Sequence, residues 1–526
     1  MCGPLFGLTL GLLALAGPAA GGETRLDELR AKAQAALDRR DPVSAEVMLR
    51  AAVRGGVPED AVRAHLGAAL LAEGNRTEAH KVLEAGRFAP DAAAFGWRVR
   101  GQLALAEGNL RGAGGAFDEA LKINPQDSDL WAAITSLRYS GGEQVQAIEA
   151  AERAVALDPA NPEALLLRGL LVREQFGLAA SLPWFEAGLK VSPDDPALLG
   201  EYAATLGEMG QYRAMLIVCR KLTGVDPKNK RPAFLQAVLA ARAGKTDLAR
   251  SILQRGGTAL RDMPAAVLLS GVLEYRVGNI NVAVEQFDRL VRLQPDNLEV
   301  RQMLVRALAR QRNDRQVAER FAADADAPYA APYMQRLIGI VWQRLGDDER
   351  SALLLDRAAH PKAHGPAALP VTVDAGVLAV HYGEAPNLAQ NAVPYIRSLL
   401  RQGRKDEAQV AADRLRAANP GAAEAHLLSG DMRALRGDAA GALADYQRGA
   451  AIRFNEPVLR RMNGTLRALG RESEADAMTL RYLAQNPQSV AAMKLLAASY
   501  HDNPRSDAFA AMTRALGARG QLVPVQ

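Results

Sequence analysis

The sequence predicts an all-α solenoid, and three sets of marks in one phase carry that prediction. Pro125, Pro159, Pro193, Pro227 and Pro295 fall at multiples of 34 residues. Gly74, Gly108, Gly142, Gly210, Gly244 and Gly278 keep the same beat, with Gly177 one residue late. Small residues form the third set: Ala45, Ala79, Ala113, Ala147, Ser181, Ala249 and Ala283. Independent marks sharing one period mean stacked supersecondary units, each burying its apolar face against its neighbours.

Each mark has a mechanical job. In residues 94–127, apolar residues on a helical period precede Gly108, and a second helix follows it. Glycine supplies the backbone freedom for a tight turn between antiparallel helices. Ala113 lets the second helix approach the first, and Phe117 fills the space one turn on. Pro125 ends that helix by disfavouring helical geometry in Asn124. Asp127, Asn161, Asp195, Asn229 and Asn297 then stand where caps for the next helix are expected. The unit is helix, turn, helix, loop.

Residues 94–127 supply Trp97, Gly101, Gly108, Ala113, Phe117, Ala120 and Pro125, and residues 264–297 supply Val267, Gly271, Gly278, Ala283, Phe287 and Pro295. Residues 128–161 repeat the pattern with Ala151 in place of the aromatic. This pattern resembles the tetratricopeptide repeat family, of exported bacterial type, over nearly all of residues 26–518. The resemblance implies an α-solenoid of stacked antiparallel pairs forming a right-handed superhelix. The beat breaks at 360–388, where His360, Pro361, His364, Pro366, Pro370 and Pro386 crowd together. A Val/Leu-rich stretch from Val371 to Tyr382 is expected to form a short extra helix there. The expected organisation is therefore a signal segment at 1–22, a first array at 23–359, an irregular junction at 360–388, and a second array with a terminal cap at 389–526.

Composition agrees with helices throughout. Hydrophobic residues make up 49% of the chain but aromatics only 5%, so the apolar surface is mostly Ala and Leu, suited to close helix packing. No stretch alternates with period two, and strands are not expected.

Leu5 to Ala16 is an uncharged apolar run followed by Gly17-Pro18-Ala19-Ala20-Gly21-Gly22. It is too short to span a bilayer core of ~30 Å. With small residues after it, the run reads as a secretory signal cleaved near 19–21, placing the mature chain in the periplasm or outside the cell. Met1 to Pro4 carry no Lys or Arg, which leaves a start slightly upstream, a weak signal, or a chain retained at the membrane by an uncleaved one. After cleavage only Cys219 remains, in the slot that Phe117 and Phe185 fill elsewhere, so it is expected to be a buried apolar residue.

The net charge of +5 comes with 53 Arg against 11 Lys. Along the chain the charges are interspersed, and no basic run with stacking aromatics marks a nucleic-acid site. Gly244-Lys245-Thr246 matches the end of a phosphate-binding loop, but Leu239 stands where its first Gly belongs and the repeat's own turn accounts for it. His360 and His364, with Asp374, His381 or Glu384, have metal-ligand spacing only on a helix, and prolines surround them. No catalytic residue, cofactor or metal is expected.

Function then falls to surface. The resemblance implies a concave groove lined by the first helix of each repeat, holding an extended peptide or an amphipathic helix. The family's groove positions fall on Arg98, Gln102, Tyr139, Arg173, Phe234, Tyr275, Gln302, Arg306 and Arg336. The Lys and Asn set that clamps a partner's terminal carboxylate in the family is missing from these units. The expectation is a non-enzymatic scaffold in the cell envelope, of the kind that serves secretion or surface-polysaccharide assembly. The alternative is a periplasmic holding chaperone for exported clients.

Overall fold

The computed structural model describes residues 19–327, 330–360, 373–500 and 507–517. These residues form thirty α-helices and no strand. The signal run, His364, Pro366, Pro370 and Pro504 lie outside the described residues. By its packing the chain divides into two compact units, Met1–Gly141 and Gly142–Gln526. Residues on both sides of 360–388 belong to the second.

The 34-residue marks do what their chemistry requires. Ala45, Ala79, Ala113, Ala147, Ser181, Ala249 and Ala283 are all 0% exposed, each at the point where paired helices come closest. One turn on, an aromatic ring seats against a glycine of the first helix. A Cβ built on Gly169 would meet Phe185 at 2.6 Å, one on Gly271 would meet Phe287 at 2.6 Å, and one on Gly430 would meet Tyr446 at 2.6 Å. Where the second-helix residue is smaller, the first-helix residue is larger: buried Ala203 accompanies Cys219, and buried Thr135 accompanies Ala151. Size is conserved across the pair rather than at either slot, which is what close-packed interiors demand.

Asp127, Asn161, Asp195 and Asn297 cap their helices, each accepting hydrogen bonds from main-chain amides two or three residues on. Asn229 does not. The helix Arg231–Arg242 has Lys230 at its cap position, and Asn229 instead accepts from the amide of Arg231 at 3.0 Å. The extra helix expected within the junction at Val371 to Tyr382 is Ala375–Glu384.

The first unit contains the helices Ala19–Asp38 to Ser128–Ser140. Arg30, 8% exposed, is held there by the carbonyl of Ala61 at 2.8 Å and by Asp91. His65 lies nearby, its ring 4.7 Å from Phe95.

The second unit folds back on itself. The amide of Val145 donates to the carbonyl of Gly421 at 3.2 Å, and that of Phe454 to Glu174 at 2.9 Å. Gln485 Oε1 accepts from the amide of Ala180 at 3.0 Å, and Gln175 donates to the carbonyl of Ala451 at 2.8 Å. Gln488 packs against Gly210. The offsets between these partners run from 276 to 305 residues, near eight or nine 34-residue periods, so two runs of repeats lie side by side. This clasp is made mainly of main-chain and amide hydrogen bonds, with the Arg453–Glu174 ion pair at 3.5 Å among them.

Candidate protein-binding face

Four consecutive first helices in the second unit, Arg231–Arg242, Pro264–Val277, Leu298–Arg310 and Pro332–Leu345, each turn one face to the core. Ala237 and Ala240, Val267 and Leu273, Leu304 and Leu308, and Met334 and Ile338 are buried. The opposite stripe follows the i, i+4, i+8 spacing that puts side chains above one another on a helix. It reads Phe234-Val238-Arg242, Leu268-Val272-Arg276, Gln302-Arg306-Arg310 and Arg336-Ile340-Arg344. The apolar members are half-buried and all the arginines are exposed.

The last rung of each stripe is arginine, at intervals of 34: Arg242, Arg276, Arg310 and Arg344. Arg310 donates to the carbonyl of Tyr275 at 3.3 Å, and Arg344 repeats that bond one unit later, to Ala309 at 3.2 Å, adding Asp314 at 3.2 Å. A cation on the last carbonyls of a helix complements its dipole. Arg306 and Arg310 both approach the Tyr275 ring, their guanidinium carbons 5.1 and 4.9 Å from its centre. Arg242, Arg276, Arg306 and Arg336 make no ion pair among the described residues.

The preceding repeats differ. Arg173 donates to Thr205 at 3.1 Å and pairs with Glu201 at 2.9 Å, and Glu201 also takes Arg231 at 2.6 Å. Burial by itself would raise the Glu201 carboxyl, but Arg231 and then Arg173 outweigh it and hold it below the ordinary glutamate value. Arg173 is therefore a structural tie as placed. In the first unit, Arg98 pairs with Asp127 at 3.6 Å and with Asp129, and lies over Phe95 at 5.2 Å. Gln102 is half-buried on the same helix, and Tyr139 is 43% exposed near the end of Ser128–Ser140. Of the nine expected groove residues, the structure brings Phe234, Tyr275, Gln302, Arg306 and Arg336 onto one set of neighbouring stripes.

The C-terminal repeats use arginine inwardly. Asp445, 1% exposed, accepts from Arg416 at 3.0 Å, Arg433 at 2.9 Å, Arg448 at 2.8 Å and Ser429 at 2.8 Å. Asp431, 3% exposed, takes both nitrogens of an Arg461 fork at 2.8 and 2.9 Å and the Tyr446 hydroxyl at 2.7 Å. Burial, with the Asp431 charge beside it, pushes the Tyr446 hydroxyl far up. Elsewhere, a cleft of about 360 Å³ opens where the helix Thr246–Arg255 stops early. Its Arg250 is bound to Glu274 at 2.7 Å and its Arg289 to Asp262 at 2.7 Å.

A family model for the tetratricopeptide repeat matches residues 66–128, 145–196 and 396–455. The chain carries tetratricopeptide repeats. Similar solved structures include a tetratricopeptide repeat protein from Parabacteroides merdae, at 18% identity over 54% of this chain and 98% of that one, TM-score 0.36. PilF of Pseudomonas aeruginosa is 21% identical over 40% of this chain and 97% of its own, TM-score 0.34. YrrB, described as having an unusual peptide-binding site, is 15% identical over 36% of this chain and 95% of its own, TM-score 0.27. No curated protein matches the chain.

On the tetratricopeptide repeats of this chain, the stripe of arginines is the feature that local sequence reading misses. Charges interspersed along the chain gather in space because the repeat brings every thirty-fourth residue into line. Cys219 is 0% exposed, and burial pushes its thiol up to about 11, so it is a packing residue. Among the described residues no group of His, Cys, Asp and Glu is arranged to hold a metal, and no helix is long and apolar enough to cross a membrane.

Proposed function

We propose that this chain is a non-enzymatic protein-binding scaffold of the cell envelope, holding extended or helical segments of partner proteins against the first-helix stripes of its repeats. The observation that carries the reading is the run of four aligned stripes from Phe234 to Arg344, with half-buried apolar side chains on three of them and an exposed arginine at the end of each. Such a surface offers burial for an apolar side chain and directional pairing for a polar one, the usual combination at an interface centre. The envelope half of the proposal rests on the apolar run Leu5–Ala16 and the small residues that follow it, and service in a secretion or polysaccharide assembly complex rests on analogy with exported proteins of the same repeat type.

The test is photo-cross-linking in intact cells from a benzoylphenylalanine placed at Val272 on the stripe, against one at Val282, 41% exposed on the helix Ile280–Leu293. One or two envelope proteins captured in stoichiometric amount from Val272, and not from Val282, support the scaffold. Many unrelated exported clients would make it a holding chaperone. Equal capture from both positions contradicts the assignment of the face. N-terminal sequencing of the mature protein checks export, which a chain still beginning at Met1 contradicts.

A further inference from the structure

We propose that the partner segment recognised by the stripes between Arg231 and Leu345 is acidic and amphipathic, an extended polypeptide that crosses successive first helices with its carboxylates on the arginine rungs. The inference deepens the scaffold reading and rests on it.

Three observations carry it. The first is an imbalance of charge at one register position. Reading the last stripe position along six consecutive first helices gives Glu174, Glu208, Arg242, Arg276, Arg310 and Arg344. The sign changes once, between Glu208 and Arg242. Glu208 is exposed and would repel an acidic segment, so the rungs define a footprint with an upstream edge. The second is that among the four rungs only Arg344 pairs with a carboxylate within the described residues, while Arg310 is bonded to the Tyr275 carbonyl. Glu299 is an exposed acid on the third stripe, one turn before Gln302, and Asp314 is held by Arg344. Arg242, Arg276, Arg306 and Arg336 face solvent without an ion pair among the described residues. Elsewhere in the same unit arginines at comparable places are matched, as Arg173 and Arg231 are by Glu201. The third is residue type. Arginine presents a planar fork that fits a carboxylate with two bonds, which a lysine does not.

Between the rungs and the helix starts lie Phe234, Val238, Leu268, Val272 and Ile340, all half-buried. A strand of nucleic acid would satisfy the rungs and leave these apolar side chains unmatched. It would also find Tyr275 already occupied on its ring by Arg306 and Arg310, where base stacking needs a free ring face. A polypeptide with alternating acidic and apolar side chains matches both features.

The experiment is fluorescence anisotropy on the full chain with four labelled probes: a peptide alternating Glu and Leu, the same peptide with Ser for Glu, the same with Lys for Glu, and a single-stranded oligothymidine. The protein carrying Arg242→Glu, Arg276→Glu, Arg306→Glu and Arg336→Glu is compared with the parent. A variant with Gln at the same four positions guards against misfolding, and far-UV circular dichroism confirms helicity in each. The Glu-Leu peptide is expected to bind the parent most tightly and to weaken with added salt. Reversal is expected to cost roughly tenfold or more, the order of like-charge repulsion at a recognition surface, and to favour the Lys peptide. The Gln variant falls between. Equal binding of the Ser and Glu peptides, unmoved by either variant, overturns the acidic assignment while leaving a protein-binding face intact. Oligothymidine binding that is lost on reversal, without a difference among the peptides, overturns it in favour of nucleic acid. Failure of every peptide overturns the inference and removes support from the scaffold reading as well.

Discussion

Arg416, Arg433 and Arg448 converge on the carboxylate of Asp445, whereas Arg242, Arg276, Arg306 and Arg336 stand exposed on the first-helix stripes without an ion pair among the described residues. Both groups sit on helical pairs of the same repeat type. The difference is what lies opposite. In the C-terminal repeats the core itself contains Asp431 and Asp445, so arginine completes a buried network. In the repeats from Arg231 to Leu345 the buried acids Glu274 and Asp324 are taken by Arg250 and Arg301, and no carboxylate is left opposite Arg242, Arg276, Arg306 or Arg336 among the described residues. Charge at a repeat slot therefore carries no fixed meaning. Burial of the opposing group decides whether it is structure or recognition.

That comparison breaks most readily at Asp445. Replacing it by Ala removes the buried acceptor shared by three arginines and leaves Arg416 and Arg433 with Asp413, at a cost expected to be about 3 kcal/mol, the low end for a broken buried pair. Urea denaturation followed by circular dichroism should show the loss, and an unchanged midpoint would mean that solvent already satisfies the network.

The first unit offers a different sensitivity. Burial, and after it the charge of Arg30, lowers the His65 pKa to about 4 from 6.5, with Asp91 opposing. The unfolded chain binds a proton below 6.5 that the folded unit refuses until about 4. Stability from this group is complete above that window and is lost as pH falls through it, by something on the order of 3–4 kcal/mol. Hydrogen exchange in the helix Glu59–Ala72 should rise across the window in the parent and stay flat in His65→Gln.

Glu201→Gln sharpens the contrast between matched and unmatched arginines, because it frees Arg173 and Arg231 at once. A loss of about 1–2 kcal/mol is expected for charged hydrogen bonds that are partly solvated. The Glu201 carboxyl is held below its ordinary value of 4.5, so its contribution is present above that value and disappears as pH falls through the lower, folded one. The acid limb of a melting profile should therefore shrink in the variant.

The smallest effects belong to two glycines of positive φ. Gly278 is left-handed, with φ +89° and ψ 3°, and alanine there should cost about 1 kcal/mol, while Gly177, with φ +103° and ψ −179°, sits in a region essentially closed to other residues and should cost about 1–3 kcal/mol. A Cβ on Gly177 would also meet Gln485 at 2.7 Å, while one on Gly278 meets nothing. Faster exchange at Phe454 is expected for Gly177→Ala alone; the same change in Gly278→Ala would mean the clasp is not local.

The repeat itself was legible because period, turn glycine and small-residue slot are local chemistry repeated many times. The pairing of Gly169 with Phe185 and of Gly271 with Phe287 follows from those marks. The cap at Lys230 was not legible, since Asn229 has the right side chain one residue too early. The clasp was not legible either, because its bonds join residues some 280 positions apart and use main-chain groups that every sequence has. Arg173 looked like an exposed rung until Glu201 was placed beside it. The ladder from Arg242 to Arg344 was written in the sequence at the repeat's own period, and a search for local runs of charge passes over it.

The most direct measurement runs a thermal melt and a Glu-Leu peptide titration on the same two proteins, one carrying Arg306→Ala with Arg336→Ala and the other Arg433→Ala with Arg461→Ala. The first pair is expected to lower affinity and leave the melting midpoint in place, and the second to lower the midpoint and spare the affinity of the folded protein. A midpoint that falls for Arg306 and Arg336 as far as for Arg433 and Arg461, with affinity unmoved, would contradict this expectation.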